Sequence, residues 1–176
     1  VASEMSEPPL RALATLLRDE PALLGTLGRS NATLAVPEPA RAVTIAAISR
    51  LSRRSPVVVA VPTSGEAERL AADLACFLGA DDVDVFPAWE TLPFERVSPS
   101  VETMGRRMRT MWHLRDPERA PKVLVAPARA LVQRLGPHVE DVEPIVVRPG
   151  GVIDQADLVE RLVNAGYRRE YQVEHR

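Results

Sequence analysis

Residue types that usually carry chemistry are scarce in this chain of 176 residues. Cys76 is the single cysteine, which excludes an internal disulfide and a cysteine-rich zinc site. Its apolar neighbours predict a thiol buried in helix packing, and a lone cysteine fits a reducing cytosol, so we expect a cytoplasmic protein. Aromatic residues are only 4% of the chain, so Val, Leu, Ala and Ile must form the core. No apolar run approaches the ~18 residues of a membrane-spanning helix, and no membrane partner is expected.

Neither sign of charge is in clear excess. The chain has 22 basic and 24 acidic side chains, a formal net charge of -2, and 45% hydrophobic residues. This balance is typical of a globular domain and gives no general attraction to nucleic acid.

The chain contains only one lysine, Lys122, and this scarcity bears on nucleotide binding. The stretch LAVPEPARAVTIAAISRL, residues 34–51, has the strand, turn and helix in which many nucleotide-binding folds place a phosphate loop. Such a loop needs glycines, whose amides wrap phosphate, and a lysine that reaches the terminal phosphates. Here Pro37 and Pro39 each remove an N–H donor, and Glu38 adds negative charge where phosphate would lie. We therefore expect no ATP site in this turn.

Other catalytic patterns are missing as well. The apolar stretch 122–128 ends without the carboxylate that holds Mg²⁺ in phosphate-loop enzymes. The three histidines, His113, His138 and His175, have no spacing motif, and we expect surface or structural roles for them. No catalytic residue, cofactor site or metal ligand is therefore predicted within this chain.

Hydrophobic patterning predicts an α/β fold. Apolar runs, several of them bounded by proline, predict strands at 31–36, 56–62, 83–89, 122–128 and 144–150. Helical periodicity predicts helices within 8–27, 40–54, 63–79, 99–115, 128–134 and 154–165. Because strands alternate with helices, we expect βαβ units and an open, mostly parallel sheet with helices on both faces.

Two of the predicted helices have recognisable ends. Thr63 or Ser64 is predicted to cap the start of one helix, which Gly79 should end. Asp154 is predicted to cap the last helix, which should end at Gly166. These residues place both helices in the chain independently of their apolar periodicity.

The most distinctive stretch is FPAWETLPFERVSPSVETMGRRMRTMWHL, residues 86–114. It combines a Trp-Glu-Thr-Leu-Pro-Phe loop, a Ser-Pro pair, and a helix with an early glycine and paired arginines. With VVVAVPTSGEAERLAADL before it, and KVLVAPARALVQRLGP and LVERLVNAGYRREYQVEHR after it, this stretch resembles the N-terminal region of the bacterial transcription-repair coupling factors (Mfd). The resemblance runs from about residue 31 to the end of the chain.

The resemblance implies an architecture. In that family the region is similar to the excision repair protein UvrB, with a degenerate RecA-type, phosphate-loop-like α/β domain, 1A, that carries a smaller inserted domain 2. We therefore expect an N-terminal helical segment at 1–30, domain 1A without Walker motifs at 31–150, and the start of domain 2 at 151–176. The resemblance also implies that the ATP- and Mg²⁺-dependent DNA translocase motor of the full-length protein lies beyond these residues.

The same resemblance implies partners. Domain 2 of the family binds the damage-recognition protein UvrA, and the family's binding arginine after Gly-Tyr corresponds to Arg168. Arg169 and Arg176 are further candidates for this contact. RNA polymerase and double-stranded DNA are expected to bind other domains of the full-length protein. The implied function is a scaffold and recruitment module of a factor that releases RNA polymerase stalled at DNA lesions and recruits nucleotide excision repair.

The proline-rich segment 87–99 holds aromatic and acidic residues with competing interpretations. Trp89 and Phe94 are predicted to anchor the loop by packing, because a stiff loop needs an apolar pin. The alternative is that they stack on bases or bind a partner. Glu90 and Glu95 are expected to be solvated.

Arg106, Arg107 and Arg109 form a basic cluster on a predicted helix. The residues themselves favour a solvated or intramolecular role, with Glu102 as the (i, i+4) partner of Arg106. The alternative is contact with DNA or with another domain, since the matching region of UvrB lies near the DNA path.

A different class of function stays open beside the recruitment module. The chain would then be a nucleotide- or DNA-binding fragment of a UvrB-like or helicase enzyme. A Gly-Lys-Thr/Ser loop would distinguish this alternative, and the sequence contains none.

Overall fold

The computed structural model describes residues 10–52, 54–91, 98–136, 139–141 and 143–170. Its helices are α1 (Arg11–Leu16), α2 (Pro21–Leu24), α3 (Arg41–Leu51), α4 (Ser64–Leu78), α5 (Val101–Leu114), α6 (Ala128–Val132) and α7 (Gln155–Asn164). Its strands are β1 (Val57–Val61), β2 (Val83–Val85) and β3 (Val123–Pro127). The chain divides into two compact units, residues 1–142 and 143–176, and α7 is the helix of the second unit. None of the described helices is both long and apolar enough to cross a bilayer.

Within the described residues, three strands form one parallel sheet in the order β1-β3-β2. Val57 and Val83 both pair with Val123, so β3 has a parallel neighbour on each side. Every residue of β3 is buried, as its unbroken apolar sequence predicts for a strand covered on both faces. The predicted α/β fold with an open parallel sheet is confirmed.

Helices α3 and α4 cover one face of the sheet. Helix α4 buries Ala67, Leu70, Leu74 and Leu78, which recur at helical spacing and pack against the valines of the three strands. The Thr63 side chain caps this helix by accepting the Glu66 N–H at 3.2 Å. Gly79 ends it with φ of 108°, a conformation that glycine adopts without strain. Both predicted ends of this helix are confirmed.

Helices α5 and α6 lie on the other face. Phe86, Leu124, Ala126 and Ala130 form a second buried cluster, with Ala88, Met111 and Leu114 packed against it. Helices therefore flank both sides of the sheet, as the alternation of elements predicts. Cover on this face is uneven, since Val58 of β1 is 54% exposed.

Two predicted strands are wrong. Residues 31–36 and 144–150 contain no strand, and the strand predicted at 83–89 ends at Val85. An apolar run becomes a strand only when a sheet edge pairs with its backbone. Leu34, Ala35 and Val36 instead line a pocket of about 190 Å³ that Leu17 and Leu23 of the N-terminal helical segment also line. Leu34 and Val36 are half-buried beside these helices without joining the sheet.

The predicted burial of Cys76 is also wrong. Cys76 is exposed, and its thiol donates to the Ala72 carbonyl at 3.5 Å. The buried stripe of α4 runs through Leu74 and Leu78, so a residue midway between them points away from the core.

The second unit contains one described helix. The Asp154 carboxylate caps α7 by accepting the N–H groups of Ala156 and Asp157 at 2.8 and 3.0 Å. Gly166, with φ of 93°, follows the helix end, and both predicted ends are confirmed. Along the chain, the boundary between the units falls between residues 142 and 143, whereas the sequence predicts a domain boundary between 150 and 151. The assignment of domains 1A and 2 stays a prediction.

Candidate functional site

The loop Phe86–Thr91, here called the Trp89 loop, leaves the carboxyl end of β2. The Phe86 N–H donates to the Val125 carbonyl at 2.9 Å, so the sheet ladder continues for one residue beyond the strand. In open α/β sheets, the carboxyl ends of the strands are where ligands and partners usually bind. The most distinctive motif of the sequence therefore begins at the edge of the sheet where such folds usually bind ligands.

Arg107 of α5 contacts several residues of the Trp89 loop. Its guanidinium carbon lies 4.1 Å from the Phe86 ring centroid and 4.3 Å from the Trp89 ring centroid. Nη1 donates to the Pro87 carbonyl at 2.6 Å, and the residue is only 2% exposed. A cation over aromatic rings gains favourable electrostatics, which offset part of the loss of hydration. Burial lowers the pKa of Arg107.

Helix α5 buries a polar stripe made of Thr103, Arg107 and Thr110. The Thr110 hydroxyl, fully buried, donates to the Asp84 carboxylate at 2.7 Å. The Val85 N–H donates to the same carboxylate at 2.9 Å. Because buried polar groups need partners, this stripe fixes α5 in one position along β2 and the loop that follows it.

Glu90 joins the Trp89 loop to the start of α5. Its carboxylate accepts the hydroxyls of Thr103 and Ser100, the latter at 2.9 Å. Ser100 also caps α5 by accepting the Thr103 N–H at 3.1 Å. The Thr103 hydrogen bond, above all, lowers the pKa of Glu90 to about 2. Glu90 is exposed, as expected, and the start of α5 also supplies donors that a free loop would lack. Glu95 lies outside the described residues.

Gln133 and Arg129 hold the other side of the loop. The Gln133 side chain accepts the Trp89 N–H at 2.8 Å and donates to the Trp89 carbonyl at 3.4 Å. Arg129 donates to the Thr91 carbonyl at 3.4 Å. Trp89 itself is half-buried, against Arg107. Phe94, predicted as a second anchor, lies outside the described residues.

The other two cluster arginines contact carboxylates of the same unit. Arg106 forms an ion pair with Glu68 of α4 at 2.8 Å. This hydrogen bond to Glu68 raises the pKa of Arg106, and the charge of Glu102 is a lesser cause. The predicted partner of Arg106, Glu102, is therefore secondary, because Glu68 of α4 forms the ion pair with Arg106. Arg109 pairs with Asp84 at 3.3 Å. Contact of these arginines with DNA or another domain stays a prediction.

The turn that resembles a phosphate loop has its own geometry. Residues Glu38–Ala40 form a short 3-10 helix that leads into α3, and the Ala40 N–H donates to the Pro37 carbonyl at 3.0 Å. Glu38 and Pro39 line an open groove of about 500 Å³. The charged side chains lining this groove are Glu38, Arg41, Glu66, Arg69 and Asp73. The Ala40 N–H, which follows both prolines, is therefore already hydrogen-bonded within the turn.

Among the described residues, no three His, Cys, Asp or Glu side chains are grouped so that they could hold a metal ion. His113 lies half-buried on α5, with its ring centroid 5.4 Å from that of Trp112. His138 and His175 lie outside the described residues.

The predicted UvrA-binding arginines belong to the second unit. Arg168 and Arg169 follow the glycine that ends α7, and both are exposed. Arg169 lines a shallow pocket with Gln155, Val159 and Val163 of that helix. Arg176 lies outside the described residues.

Sequence reasoning missed Gln133, Ser100 and Thr103 as parts of the Trp89 loop. Gln133 lies 44 residues after the backbone that it binds, and no local pattern reports such a contact. Ser100 carried a signal, since serine directly before a helical pattern is a preferred N-cap residue, whereas Thr103 carried none.

Curated proteins show what the chain is similar to, although no family model matches it. The transcription-repair-coupling factor of Mycobacterium tuberculosis is 33% identical over 174 residues, covering 93% of this chain and 14% of that protein. The Haemophilus influenzae factor is 35% identical over 132 residues, covering 72% and 11%. The Escherichia coli factor is 31% identical over 119 residues, covering 67% and 10%. The chain thus spans a small part of these relatives. It belongs, over that N-terminal part, to the family of transcription-repair-coupling factors.

Proposed function

We propose that this chain is the N-terminal scaffold and recruitment module of a transcription-repair-coupling factor. Its role is to hold a binding surface for UvrA, and so to bring nucleotide excision repair to sites where the full-length protein releases stalled RNA polymerase. The observation that carries the proposal is family membership over 93% of the chain, combined with exposed arginines after α7. Catalysis, ATP-driven movement on DNA and contact with RNA polymerase belong to the rest of a longer cytoplasmic protein.

Arg168 and Arg169 suit the capture of a partner. Guanidinium groups bind carboxylates through two parallel hydrogen bonds, and arginine is enriched at the residues that dominate binding free energy. An exposed ion pair within one chain contributes only about 0–1 kcal/mol, so folding does not require these arginines where they lie. Their exposure beside a capped helix supports a role in recognition.

The turn at residues 37–40 supports a module without nucleotide chemistry. Two of its four residues, Pro37 and Pro39, lack an N–H, and the Ala40 N–H is bonded within the turn. Glu38 adds a negative charge, which repels a triphosphate. The RecA-like order of strands and helices then acts as a platform for partners.

Binding of purified UvrA to the 176-residue chain tests the proposal. We expect Arg168→Glu to weaken the complex by about tenfold or more, because charge reversal replaces attraction of a carboxylate with repulsion. Arg148→Glu is the matched control, since it reverses an exposed arginine of the same unit outside the Gly-Tyr-Arg motif. Circular dichroism should show unchanged folding for both variants.

Two results would count against this proposal. Equal affinity of wild type and Arg168→Glu would remove Arg168 from the interface. Absence of any complex with the wild-type chain would reject UvrA recruitment by these residues.

A further inference from the structure

Helix α7 ends in a motif that places the residues after it. The Gly166 N–H donates to the Val163 carbonyl at 2.9 Å, and the Tyr167 N–H donates to the Leu162 carbonyl at 3.0 Å. Together with the φ of 93° at Gly166, these bonds form a Schellman motif, which sets the direction of the chain beyond a helix. Arg169 follows two residues later and lines a pocket together with residues of α7. The backbone of the helix end thus brings this side chain to the side of the helix.

The pocket beside Arg169, here called the α7 pocket, combines apolar and polar residues. Its volume is about 430 Å³, within the range of about 300–1,000 Å³ for sites that enclose a compact ligand. Its apolar residues are Ala156, Val159 and Val163, and its polar residues are Gln155, Glu160, Asn164 and Arg169. Protein interfaces combine apolar contacts at their centre with polar groups around them, and the α7 pocket offers both kinds of residue.

The apolar residues of the α7 pocket recur at helical spacing. Val159 comes three residues after Ala156 and four before Val163, so the three side chains follow one another along one face of α7. Val163 is 51% exposed, and no residue of α7 is buried. An apolar side chain from a partner would remove this stripe from water, which is favourable.

Arg169 is the cationic residue of the α7 pocket. It takes part in none of the ion pairs of the described residues, and neither does Glu160. An unpaired guanidinium presents parallel N–H donors that match the two oxygens of a carboxylate. Glu160 lies on the helix and repels an incoming carboxylate, so a partner's carboxylate is best placed on the Arg169 side of the pocket.

We propose that the α7 pocket receives an apolar side chain of a partner protein while Arg169 binds a carboxylate close to that side chain. The proposal rests on the proposed function, so the partner is UvrA. It adds an apolar anchor to the exposed arginines, and it specifies the partner surface as a bulky apolar residue with an aspartate or glutamate beside it. Burial of the apolar residue contributes affinity, and the ion pair fixes the orientation of the partner.

The affinities of purified UvrA for variants of the 176-residue chain test the pocket. Val163→Ser removes an apolar lining side chain, and Ala156→Phe fills the pocket from an exposed position. Both substitutions should weaken the complex by about fivefold or more, because a few contacts at the centre of an interface dominate binding. Val152→Ser is the matched control, since Val152 is fully exposed in the same unit and is not part of the pocket. We expect its affinity to equal that of the wild type.

Salt separates the two contacts, because only one of them is electrostatic. Arg169→Gln should weaken binding, and its deficit relative to the wild type should shrink as sodium chloride is raised from about 0.05 to about 0.5 M, since salt screens exposed ion pairs. The deficit of Val163→Ser should persist over the same range, because apolar burial does not depend on charge. An Arg169→Gln deficit that is absent, or that does not change with salt, would overturn the ion pair.

Failure of this site and failure of the proposed function give different results. If the wild-type chain forms no complex, UvrA recruitment is rejected and this site with it. If the wild type binds and either folded pocket variant binds equally well or more tightly, the pocket alone is overturned. Light scattering of the chain without UvrA tests a second copy as the occupant, and a dimer that Val163→Ser disrupts would also overturn the proposal. Circular dichroism checks folding, and Ala156→Phe carries the test if Val163→Ser loses helix.

Discussion

At the scale of single residues, Glu90 shows how an exposed carboxylate can still fix a loop. It lies on the surface, yet hydrogen bonds from two hydroxyls at the start of α5 lower its pKa to about 2, from an ordinary value of 4.5. The N-terminal end of a helix also favours negative charge. Folding therefore favours the ionised Glu90 carboxylate over its protonated form.

We predict that Glu90→Gln lowers the free energy of unfolding at pH 7 and that this loss disappears in acid. A carboxylate whose pKa is depressed on folding stabilises the protein fully above its unfolded pKa, and this contribution fades as pH falls toward the folded pKa. Urea unfolding between pH 7 and pH 2.5 measures the difference between wild type and variant. It should narrow between the pKa of 4.5 and that of about 2.

Glu118→Gln is the control for that experiment, because Glu118 is exposed and lies outside the Trp89 loop. Its difference from wild type should stay nearly constant over the same range. If the Glu90→Gln difference were equally constant, the hydrogen bonds to Ser100 and Thr103 would not be responsible for stability.

At the scale of elements, α5 is unusual because its buried residues are polar. Thr103, Arg107 and Thr110 each bond to a group between β2 and the end of the Trp89 loop. An apolar helix face can slide or rotate at modest cost, whereas a stripe of hydrogen bonds loses its partners on any shift. The stripe therefore sets the register of α5, and Met111 and Leu114 add apolar contacts.

We predict that Thr110→Val destabilises the chain by about 1–3 kcal/mol, although valine has nearly the same shape as threonine. The substitution removes a donor from the partly buried Asp84 carboxylate and leaves that group less satisfied. Thr15→Val is the matched control, since Thr15 is exposed and bonds only within α1. Chemical denaturation should place the control within about 0.5 kcal/mol of wild type. Equal effects of both substitutions would refute the role of the stripe.

The sheet itself gives a second prediction at this scale. Leu74 is fully buried against the strands, so Leu74→Ala should cost about 2–5 kcal/mol by leaving a cavity. Val58 lies on the exposed half of the other face, so Val58→Thr should cost less than about 0.5 kcal/mol. The two midpoints in urea, compared with wild type, measure this difference. A large loss from Val58→Thr would mean that this face is covered in solution.

The sequence predicts an element well when the element depends on a pattern within a short segment, and poorly when it depends on contacts with distant residues. The central strand β3 and helix α4 follow from an unbroken apolar run and a stripe at helical spacing, both properties of short segments. Residues 31–36 have a strand's composition but do not pair with the sheet. The basic cluster on α5 was visible as a cluster, yet its contacts with Glu68 and Asp84 were not. Such long-range partners are set by tertiary packing.

At the scale of the whole molecule, the chain combines an open α/β fold with a turn before α3 that does not match a phosphate loop. The parallel sheet, the helices on both faces and the loops at the carboxyl ends of the strands are present. The turn before α3 has prolines and a glutamate where amides and a lysine are needed. Under the proposed function, the arginines after α7 are the surface of this chain that binds a partner.

Titration calorimetry of Mg²⁺-ATP into the 176-residue chain tests this central claim most directly. We predict no saturable heat up to about 1 mM nucleotide, since nothing in the turn at residues 37–40 compensates the phosphates for their lost hydration. A one-site isotherm with micromolar affinity, abolished by a substitution lining the Glu38 groove such as Arg41→Glu, would contradict the account and favour a nucleotide-binding enzyme fragment.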